Sequence, residues 1–464
     1  MIGKASTAPQ KRGDAHVRVD VIETKEHARR GRIACEIGRD LTFTTSHLES
    51  YCLAQWEPII FDALVVAAAI EFCDRIQKRR VHHWGRKIEL RVPVHDPDRW
   101  NAQSVSLPLK ETLSFLTGDC WTLTFVARRA PASIPQQSSF DIPGDCSAVI
   151  PFSDGLDSRA VAGLMSRELG DRLIRVRLGS KKFQPVIEAS GKKQPFTSIP
   201  YKIKSKTHAF VESSVRSRGF KFSMISGIAA YMVKATRIIV PESGQGALGP
   251  ALVPVGQVYE DYRNHPLFTD RMEILLKALF GHEVRFEFPR LWHTKGETLA
   301  EFVRECDEGS SWKTTWSCWQ QNRHSSVAHH KRQCGICAAC FLRRLSVHAA
   351  GLEEDPKTYI WENLSASSFE AGAAPGFKRI TKAHREYAIA GALHLEHLAT
   401  LRASPADKVT LNLTVSQLSQ SRSLSVTEIR QFLNRLLNKH ESEWMQYLDY
   451  LGPNSFVADW VPRP

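Results

Sequence analysis

Short apolar runs alternate with amphipathic segments through the middle of the chain. The runs that we predict to be strands are 147–152, 173–178, 199–203, 237–240 and 284–288. The segments with helical periodicity are 157–169, 220–235 and 265–280. Strands and helices that alternate at this spacing are typical of a parallel sheet with helices on both faces, so the predicted fold class is α/β.

The flanking regions have other patterns. Alternating segments at 87–94 and 120–126 predict half-buried strands, and a helical stretch covers 57–80, which together indicate an α+β N-terminal extension. Helical patterns at 378–402 and 427–451 predict a mostly helical C-terminal extension. Proline, serine and glutamine are frequent just before residue 146, which indicates a linker. The predicted domains are 1–130 (N-terminal extension), 131–145 (linker), 146–351 (α/β domain) and 352–464 (C-terminal region).

The composition adds charge to this picture. Hydrophobic residues make up 42% and charged residues 24% of the 464 residues, which is typical of a soluble globular protein and excludes fibrous and disordered classes. The 62 lysines and arginines against 49 acidic residues give a net charge of +13, which favours anionic partners. The longest apolar stretch, 59–72, is much shorter than the ~20 residues that span a bilayer. The amino terminus lacks the apolar core of a secretory signal, so we expect a cytoplasmic protein without a membrane partner.

The first strand of the middle region runs into a polar turn that we call the phosphate loop. It reads Ser153-Asp154-Gly155-Leu156-Asp157-Ser158. A helix that opens at such a turn directs backbone N–H groups and the positive end of its dipole at an anion, and the loop hydroxyls can donate as well. The turn lacks the Gly-Lys-Ser/Thr of a Walker A loop. The alternative is an ordinary turn in which Asp157 or Ser158 caps a helix.

Four of the ten cysteines lie close together near the end of the middle region, and we call them the cysteine cluster. They are Cys318, Cys334, Cys337 and Cys340. Two overlapping Cys-x-x-Cys steps and one upstream cysteine can surround a zinc ion with four thiolates, which leaves no position for water and indicates a structural site. The alternatives are an iron–sulfur cluster, a set of buried free thiols, or a site in which His324, His329 or His330 replaces Cys318.

The phosphate loop resembles the PP-loop of the ATP pyrophosphatases, Ser-Gly-Gly-x-Asp-Ser, with Asp154 in place of the first glycine. Together with Thr315-Trp316-Ser317-Cys318 and the run from Cys334 to Arg343, it is similar to the QueC family of 7-cyano-7-deazaguanine synthases over about residues 146–351. Two further segments are similar to motifs of that family, namely 218–222, which begins with Arg218, and 292–297, which contains Lys295.

This resemblance implies an enzyme that binds ATP, Mg²⁺ and structural Zn²⁺ and adenylates the carboxylate of a 7-deazaguanine. The loop residues that it implies for ATP binding are Ser153, Asp154, Gly155, Leu156, Asp157 and Ser158. It implies that Asp157 is catalytic, and we expect Lys295 and Arg218 to stabilise the charge on departing pyrophosphate. Glu242 beside a glycine-rich loop could accept a hydrogen bond from the amino group of the base, or it could simply be a solvated acid of a flexible connector.

Asp154 and the two extensions depart from the plain family pattern. A carboxylate in a phosphate cradle repels phosphate unless it points away or helps to hold the metal. The enlarged chain resembles the antiphage-defence branch of the family, as in the Qat system. That resemblance implies that an amine of a partner protein, instead of ammonia, accepts the activated carboxylate. The extensions would then bind that partner, or they would support a homodimer. The alternatives are a PP-loop enzyme that modifies tRNA or forms another amide, and a nucleotide-binding scaffold without turnover.

Overall fold

The computed structural model describes most of the chain. The described residues are 16–42, 57–79, 85–131, 146–178, 196–199, 202–205, 208–256, 259–306, 310–319, 326–327, 329–377 and 379–461. The predicted linker lies almost entirely outside them, as does His324.

The chain divides into two compact units. The first contains Met1–Phe43, Pro58–Ser133 and Tyr201–Lys221, and the second contains Thr44–Glu57, Ile134–Pro200 and Phe222–Pro464. The C-terminal region therefore shares a unit with most of the predicted α/β domain. The four domains remain a prediction. The division into compact units follows other boundaries, and it does not test which parts of the chain fold independently.

The first unit contains a four-stranded sheet with helices. The strands of that sheet are β1 (His16–Ile22), β2 (Ile33–Glu36), β4 (Lys87–Val94) and β5 (Cys120–Ala127), and the short strand β3 (Leu41–Thr42) lies outside it. Its helices are α1 (Pro58–Ile76), α2 (Pro97–Asn101) and α3 (Gln103–Thr117). The sheet has the order β2-β1-β4-β5 with parallel neighbours. The strands predicted at 87–94 and 120–126 and the helix predicted near 57–80 are confirmed.

Helix α1 is apolar around nearly its whole circumference, and almost all of its residues are buried. A helix of that kind belongs in a core rather than on a surface. Its buried acid Asp74 is paired with the guanidinium groups of Arg79 and Arg86, each at 2.8 Å or less. Burial opposes the charged form of Asp74, but the two arginines outweigh it and hold the pKa of the carboxyl below its usual value.

The second unit contains the sheet that holds the phosphate loop. Its strands are β6 (Ala148–Pro151), β7 (Leu173–Leu178), β8 (Phe196–Ile199), β10 (Arg237–Ile239) and β11 (Arg285–Glu287), and the short strand β9 (Lys202–Ile203) belongs to the first unit. The order is β11-β10-β6-β7-β8, and all neighbours are parallel. The chain moves from β6 toward one edge and returns on the other side at β10. Ligands of open α/β sheets bind at such a switch point, outside the carboxyl ends of the strands.

Helices flank this sheet and form the C-terminal region. They are α4 (Leu156–Leu169), α5 (Arg218–Val233), α6 (Gly244–Ala247), α7 (Gly249–Leu252), α8 (Pro266–Phe280), α9 (Lys295–Cys306), α10 (Ala338–Ala349), α11 (Lys382–Thr400), α12 (Lys408–Arg422) and α13 (Val426–Leu451). A two-stranded ribbon of β12 (Ser326–Val327) and β13 (His330–Lys331) precedes α10. The parallel sheet, the mixed N-terminal region and the helical C-terminal region agree with the predicted fold class.

One predicted strand is wrong. The run 199–203 is not a single strand, because Ile199 ends β8 whereas Lys202–Ile203 pairs antiparallel with β3. Proline stands at position 200 in the sequence, and a proline has no N–H to donate to a ladder of hydrogen bonds.

Helices of the C-terminal region pack on the middle of the chain. One hydrophobic core joins the segment of α6 and α7 to helices α11, α12 and α13. It contains Leu248, which lies between α6 and α7, Leu398 of α11 and Leu436 of α13. Helix α13 begins with a capping box in which Ser425 and Glu428 bond each other's backbone N–H groups. Among the described helices, none combines the length and the apolar character needed to cross a membrane.

Candidate functional site

The phosphate loop connects the end of β6 to the start of α4. Gly155 is the residue before the helix and has an extended backbone (φ −77°, ψ 156°). The Ser153 hydroxyl accepts a hydrogen bond from the Gly155 N–H at 3.2 Å and lies 2.9 Å from the Ser158 hydroxyl. The two hydroxyls therefore meet at the amino end of a helix, at the switch point of the sheet, which is an arrangement suited to an anion.

Asp154 is accommodated by an arginine of the neighbouring strand. Its carboxylate forms an ion pair with Arg177 on β7, and its backbone carbonyl accepts a hydrogen bond from the Trp316 N–H at 2.7 Å. Asp154 is not among the non-glycine residues with positive φ. Of the two ways in which the sequence would tolerate an acid here, the structure has the one in which the carboxylate is directed to another partner.

Three charged residues from distant parts of the sequence meet beside the loop, and we call them the charge cluster: Asp157, Glu242 and Lys295. Asp157 lies in the first turn of α4, Glu242 follows β10, and Lys295 begins α9. The Lys295 ammonium forms an ion pair with Asp157 Oδ2, and the two side chains are only 8% and 14% exposed. Helices α4 and α9 bring them together because Leu156 and Ala160 pack in one core with Leu299 and Phe302.

Glu242 completes the charge cluster as an acid with a perturbed pKa. Burial and the adjacent Asp157 carboxylate raise its pKa to about 8. Its Oε2 accepts a hydrogen bond from the Asn264 side-chain amide at 2.9 Å. Its Oε1 lies so close to Gly246 that a Cβ on that residue would be 2.0 Å away. Gly246 is therefore required for Glu242 to occupy this position.

Lys295 keeps its charge although it is buried. Burial alone would lower the pKa of its ammonium, but the carboxylates of Asp157 and Glu242 outweigh that effect and raise it. Asp157 Oδ1 is also buried and has no hydrogen-bond partner. A buried carboxylate oxygen without a partner costs free energy, so this atom is suited to a cation or a donor supplied by a ligand.

The remaining sequence-predicted residue, Arg218, belongs to the other unit of the chain. Arg218 is the first residue of α5 and belongs to the first unit, whereas the charge cluster belongs to the second. Within the second unit, the structure brings together Asp157, Glu242 and Lys295. A role for Arg218 in charge stabilisation stays a prediction.

The cysteine cluster converges as its spacing predicted. The four sulfurs are buried and lie within 4.8 Å of one another, with 3.7 Å between those of Cys334 and Cys340. A tetrahedral zinc ion with Zn–S bonds of about 2.3 Å separates its sulfurs by about 3.8 Å. Sulfurs this close fit a single ion better than a multinuclear iron–sulfur cluster. Cys318 is one of the four, whereas His329 and His330 are exposed, so no histidine is needed to complete the set.

Local structure favours the thiolate form of one residue of the cysteine cluster, Cys318, whereas its neighbours and burial raise the pKa values of Cys334 and Cys340. Backbone N–H groups of Cys334 and Cys337 donate to the sulfurs of Cys318 and Cys334, at 3.2 and 3.3 Å. Hydrogen bonds from the other three thiols hold the pKa of Cys318 well below its usual range. Gly335 has a φ of +85°, which allows the tight turn between the first two ligands of the Cys-x-x-Cys step.

Hydrogen bonds connect the cysteine cluster to the phosphate loop. The buried side chain of Gln333 accepts from the N–H groups of Ser317 and Cys318, at 2.8 and 3.1 Å. The preceding residue, Trp316, is the one that donates to the Asp154 carbonyl. Folding of the cysteine cluster therefore fixes a segment that contacts the loop directly.

Several residues of this site were missed by sequence reasoning. Arg177 is the next-to-last residue of β7, a strand that was predicted at 173–178, so its position near the carboxyl edge of the sheet was a usable signal. Asn264 had no such signal, because its position depends on how a connecting loop folds. Gln245 lies in the glycine-rich segment beside Glu242, but nothing in that segment predicted its contact with Lys295. Gln245 accepts a hydrogen bond from the Lys295 backbone N–H at 2.7 Å.

Comparison with known proteins gives one match. Residues 248–351 match the family model described as Queuosine biosynthesis protein QueC. No curated protein matches the chain. The matched segment contains Lys295 and the whole cysteine cluster, whereas the phosphate loop and Glu242 precede it. The match and the parallel sheet together support a PP-loop protein of the ATP-utilising class, and the particular family that this part of the chain is similar to is QueC.

Proposed function

We propose that this protein is an ATP-dependent enzyme that adenylates a 7-deazaguanine carboxylate and transfers the acyl group to an amine. The observation that carries the proposal is the charge cluster beside the phosphate loop. Two acids and a buried lysine come from three separate motifs of the sequence and meet at the switch point, where α/β sheets bind their ligands. The QueC-like segment supplies both the lysine and the cysteine cluster.

The chemistry has two balanced steps. A carboxylate oxygen of the substrate attacks the α-phosphorus of ATP, the bond to the β-phosphate oxygen breaks, and pyrophosphate leaves. An amine then attacks the acyl carbon, and AMP leaves with transfer of one proton to solvent or base. The first step builds negative charge on pyrophosphate, and a buried cation that does not need to reorganise stabilises such charge.

Residues of the chain have distinct roles in this proposal. The N–H groups and hydroxyls at the amino end of α4 bind phosphate, and Lys295 stabilises the departing charge. The Glu242 carboxyl accepts a hydrogen bond from the amino group of the base. Asp157 keeps Lys295 charged and directed toward the loop.

The donor set fits the two metals that the family resemblance implies. Magnesium prefers carboxylate oxygens and phosphates, and Asp157, whose Oδ1 is buried without a hydrogen-bond partner, is the residue that would hold it. When bound, it would neutralise phosphate charge. The four cysteines would hold a structural zinc ion, which stabilises the segment that contacts Asp154.

We further propose that the acceptor is ammonia or an amine of a partner protein, in a cytoplasmic antiphage-defence system. This proposal derives from the resemblance of the enlarged chain to that branch of the family. Intact-mass analysis of co-expressed partner proteins tests it, because transfer would add the mass of a deazaguanine acyl group. If the partner proteins stay unmodified and amide forms only when ammonia is supplied, the acceptor is ammonia.

The central experiment is ATP–pyrophosphate exchange with 7-carboxy-7-deazaguanine. We expect exchange that depends on this acid and on Mg²⁺. Lys295→Met should lower the rate, whereas Lys277→Met, which removes an exposed lysine of α8, should not. Exchange with other acids but not with this one would favour another amide-forming enzyme. A protein that binds ATP but shows no exchange with any acid would favour a nucleotide-binding scaffold. A protein that binds tRNA in a salt-sensitive way and modifies it would favour a tRNA-modifying enzyme.

A further inference from the structure

Helix α13 is connected to Lys295 by a continuous chain of hydrogen bonds. His440 of α13 is fully buried, and its Nε2 donates to the Leu395 carbonyl at 2.9 Å. Its Nδ1 accepts from the side-chain amide of Gln245 at 2.7 Å. The side-chain oxygen of Gln245 then accepts from the Lys295 N–H at 2.7 Å. All of these residues belong to the second unit.

Each residue of this chain of hydrogen bonds donates to the next one, from Lys295 to Gln245, from Gln245 to His440 and from His440 to Leu395. A carbonyl only accepts, so the His440 proton must be on Nε2, and Nδ1 presents its lone pair to Gln245. The Gln245 amide is thereby oriented with its oxygen toward Lys295. Burial lowers the pKa of His440 to about 4, so the ring stays neutral at neutral pH and the direction is maintained.

A second contact from the same helix reaches the residue before Lys295. The Thr294 hydroxyl donates to Glu443 Oε1 at 2.6 Å, and it accepts from the Glu297 N–H at 3.1 Å. Glu297 in turn accepts from the Thr294 N–H at 2.9 Å, which makes a capping box at the start of α9. Arg435 of α13 pairs with Glu297. Helix α13 thus contacts the backbone turn that carries Lys295 on both sides.

We propose that helix α13 holds Lys295 in its working position, with His440 acting through Gln245 and Glu443 acting through Thr294 as positioning residues. This inference rests on the proposed function, because it assigns the helix a role in the ATP chemistry of Lys295. Part of the C-terminal region would then support the active site from outside, although that region lies beyond the segment similar to QueC. Without these bonds, the start of α9 would be free to shift relative to Asp157.

The first readout is the split between kcat and KM in ATP–pyrophosphate exchange. His440→Leu and Gln245→Leu should lower kcat by about 10-fold to 100-fold, because small displacements of a charged group are costly in catalysis, while KM for ATP stays within about threefold. The matched control is His394→Leu. His394 is a second buried histidine of the C-terminal region, and its ring bonds to the backbone of Val253 instead.

The second readout does not depend on activity. Lys295 is buried and paired, so it should react slowly with an amine-acylating reagent, and mass spectrometry can follow it against the exposed Lys277 as an internal reference. His440→Leu and Gln245→Leu should raise the labelling rate of Lys295 by about fivefold or more relative to Lys277. His394→Leu should leave that ratio unchanged. Where His440→Leu does not fold, Thr294→Val makes the smaller change and is judged by the same readouts.

The outcomes separate this inference from the proposed function. A wild type without exchange, but with the expected labelling changes, would sink the proposed function and leave the positioning of Lys295 standing. An active wild type whose His440 and Gln245 variants behave like His394→Leu would overturn the inference and leave the proposed function intact. Altered labelling with unchanged kcat would also overturn it, because the position of Lys295 would then not matter for the reaction.

Discussion

The cysteine cluster and the charge cluster are both buried groups of the second unit, but they are assembled in opposite ways. Three of the four cysteines lie within seven consecutive residues, so a turn and the start of α10 suffice to bring their sulfurs together. The charge cluster takes one residue from each of three widely separated segments, and its geometry depends on the order of the sheet strands and on helix packing. A locally encoded site can be identified from spacing, whereas a tertiary site requires the fold.

The largest effect should come from breaking the locally encoded site. Cys337→Ser should release the zinc ion and lower the stability by at least about 3 kcal/mol, because metal binding at structural sites is coupled to folding. Metal content and thermal unfolding measure it. Cys120→Ser, which changes an exposed cysteine, is the control. A wild type that is metal-free and equally stable would contradict the zinc assignment.

The next effect should come from the charge cluster. Asp157→Asn removes the partner of Lys295 and an acceptor of the site, so we expect the exchange rate to fall by about 100-fold or more. Circular dichroism and thermal unfolding should show that the fold is kept, because asparagine has nearly the same volume as aspartate and the apolar packing of α4 on α9 is unchanged. A turnover within a few-fold of the wild type would mean that the nucleotide binds elsewhere.

A smaller effect concerns the region that supports the charge cluster. Burial lowers the pKa of both His394 and His440 from an ordinary value of 6.5 to about 4. A group with a lowered pKa contributes stability above its unfolded-state pKa and loses it as the pH falls toward the folded-state value. Each histidine should therefore cost up to roughly 3 kcal/mol of stability between pH 6.5 and 4.

Urea unfolding at pH 7.5 and pH 5 tests this acid sensitivity. His394→Leu should lose less stability between the two pH values than the wild type does. The comparison is between the two pH dependences, so a general destabilisation by the substitution cancels. Equal pH dependences in variant and wild type would show that His394 is not held neutral by burial.

The smallest effect should follow from restoring the family residue in the phosphate loop. Asp154→Gly removes a partly exposed ion pair with Arg177, so stability should change by only about 0–1 kcal/mol. Removal of the negative charge, with Arg177 released for phosphate, should lower KM for ATP by about 2- to 5-fold. A raised KM would indicate that Asp154 helps to bind the nucleotide or its metal.

How much could be predicted differs along the chain for physical reasons. The strands β4, β5 and β7 and the helices α4, α8 and α13 were predicted within a few residues, because one face or the whole element is buried and its apolar pattern is strong. The strand at 199–203 was wrong because apolar character alone does not tell one strand from two short ones with different partners. Which sheet a strand joins is decided by long-range pairing.

The site shows the same division. Asp157 and Lys295 were identifiable because they belong to short motifs, and Gly335 because a Cys-Gly-Ile-Cys turn needs a positive φ. The position of Arg177 at the carboxyl edge of the sheet was predictable, but its ion pair with Asp154 was not. The contacts of Asn264 and Gln245 were not predictable either, since each joins a residue to a partner that is distant in sequence. The effect of Asp154 also needed the structure, because only the position of Arg177 decides whether its charge is balanced.

The amino-acid sequence alone determined the α/β alternation, the phosphate loop and the spacing of the four clustered cysteines, because each depends on residues that are close together along the chain. Only the tertiary structure decided that Glu242 lies beside Asp157 with a raised pKa, and that a helix near the carboxyl end bonds to the turn that carries Lys295. Those contacts arise from burial of apolar faces between distant segments. The periodicity of the sequence indicates which faces of the helices and strands are apolar, but it does not indicate which of these faces pack against each other.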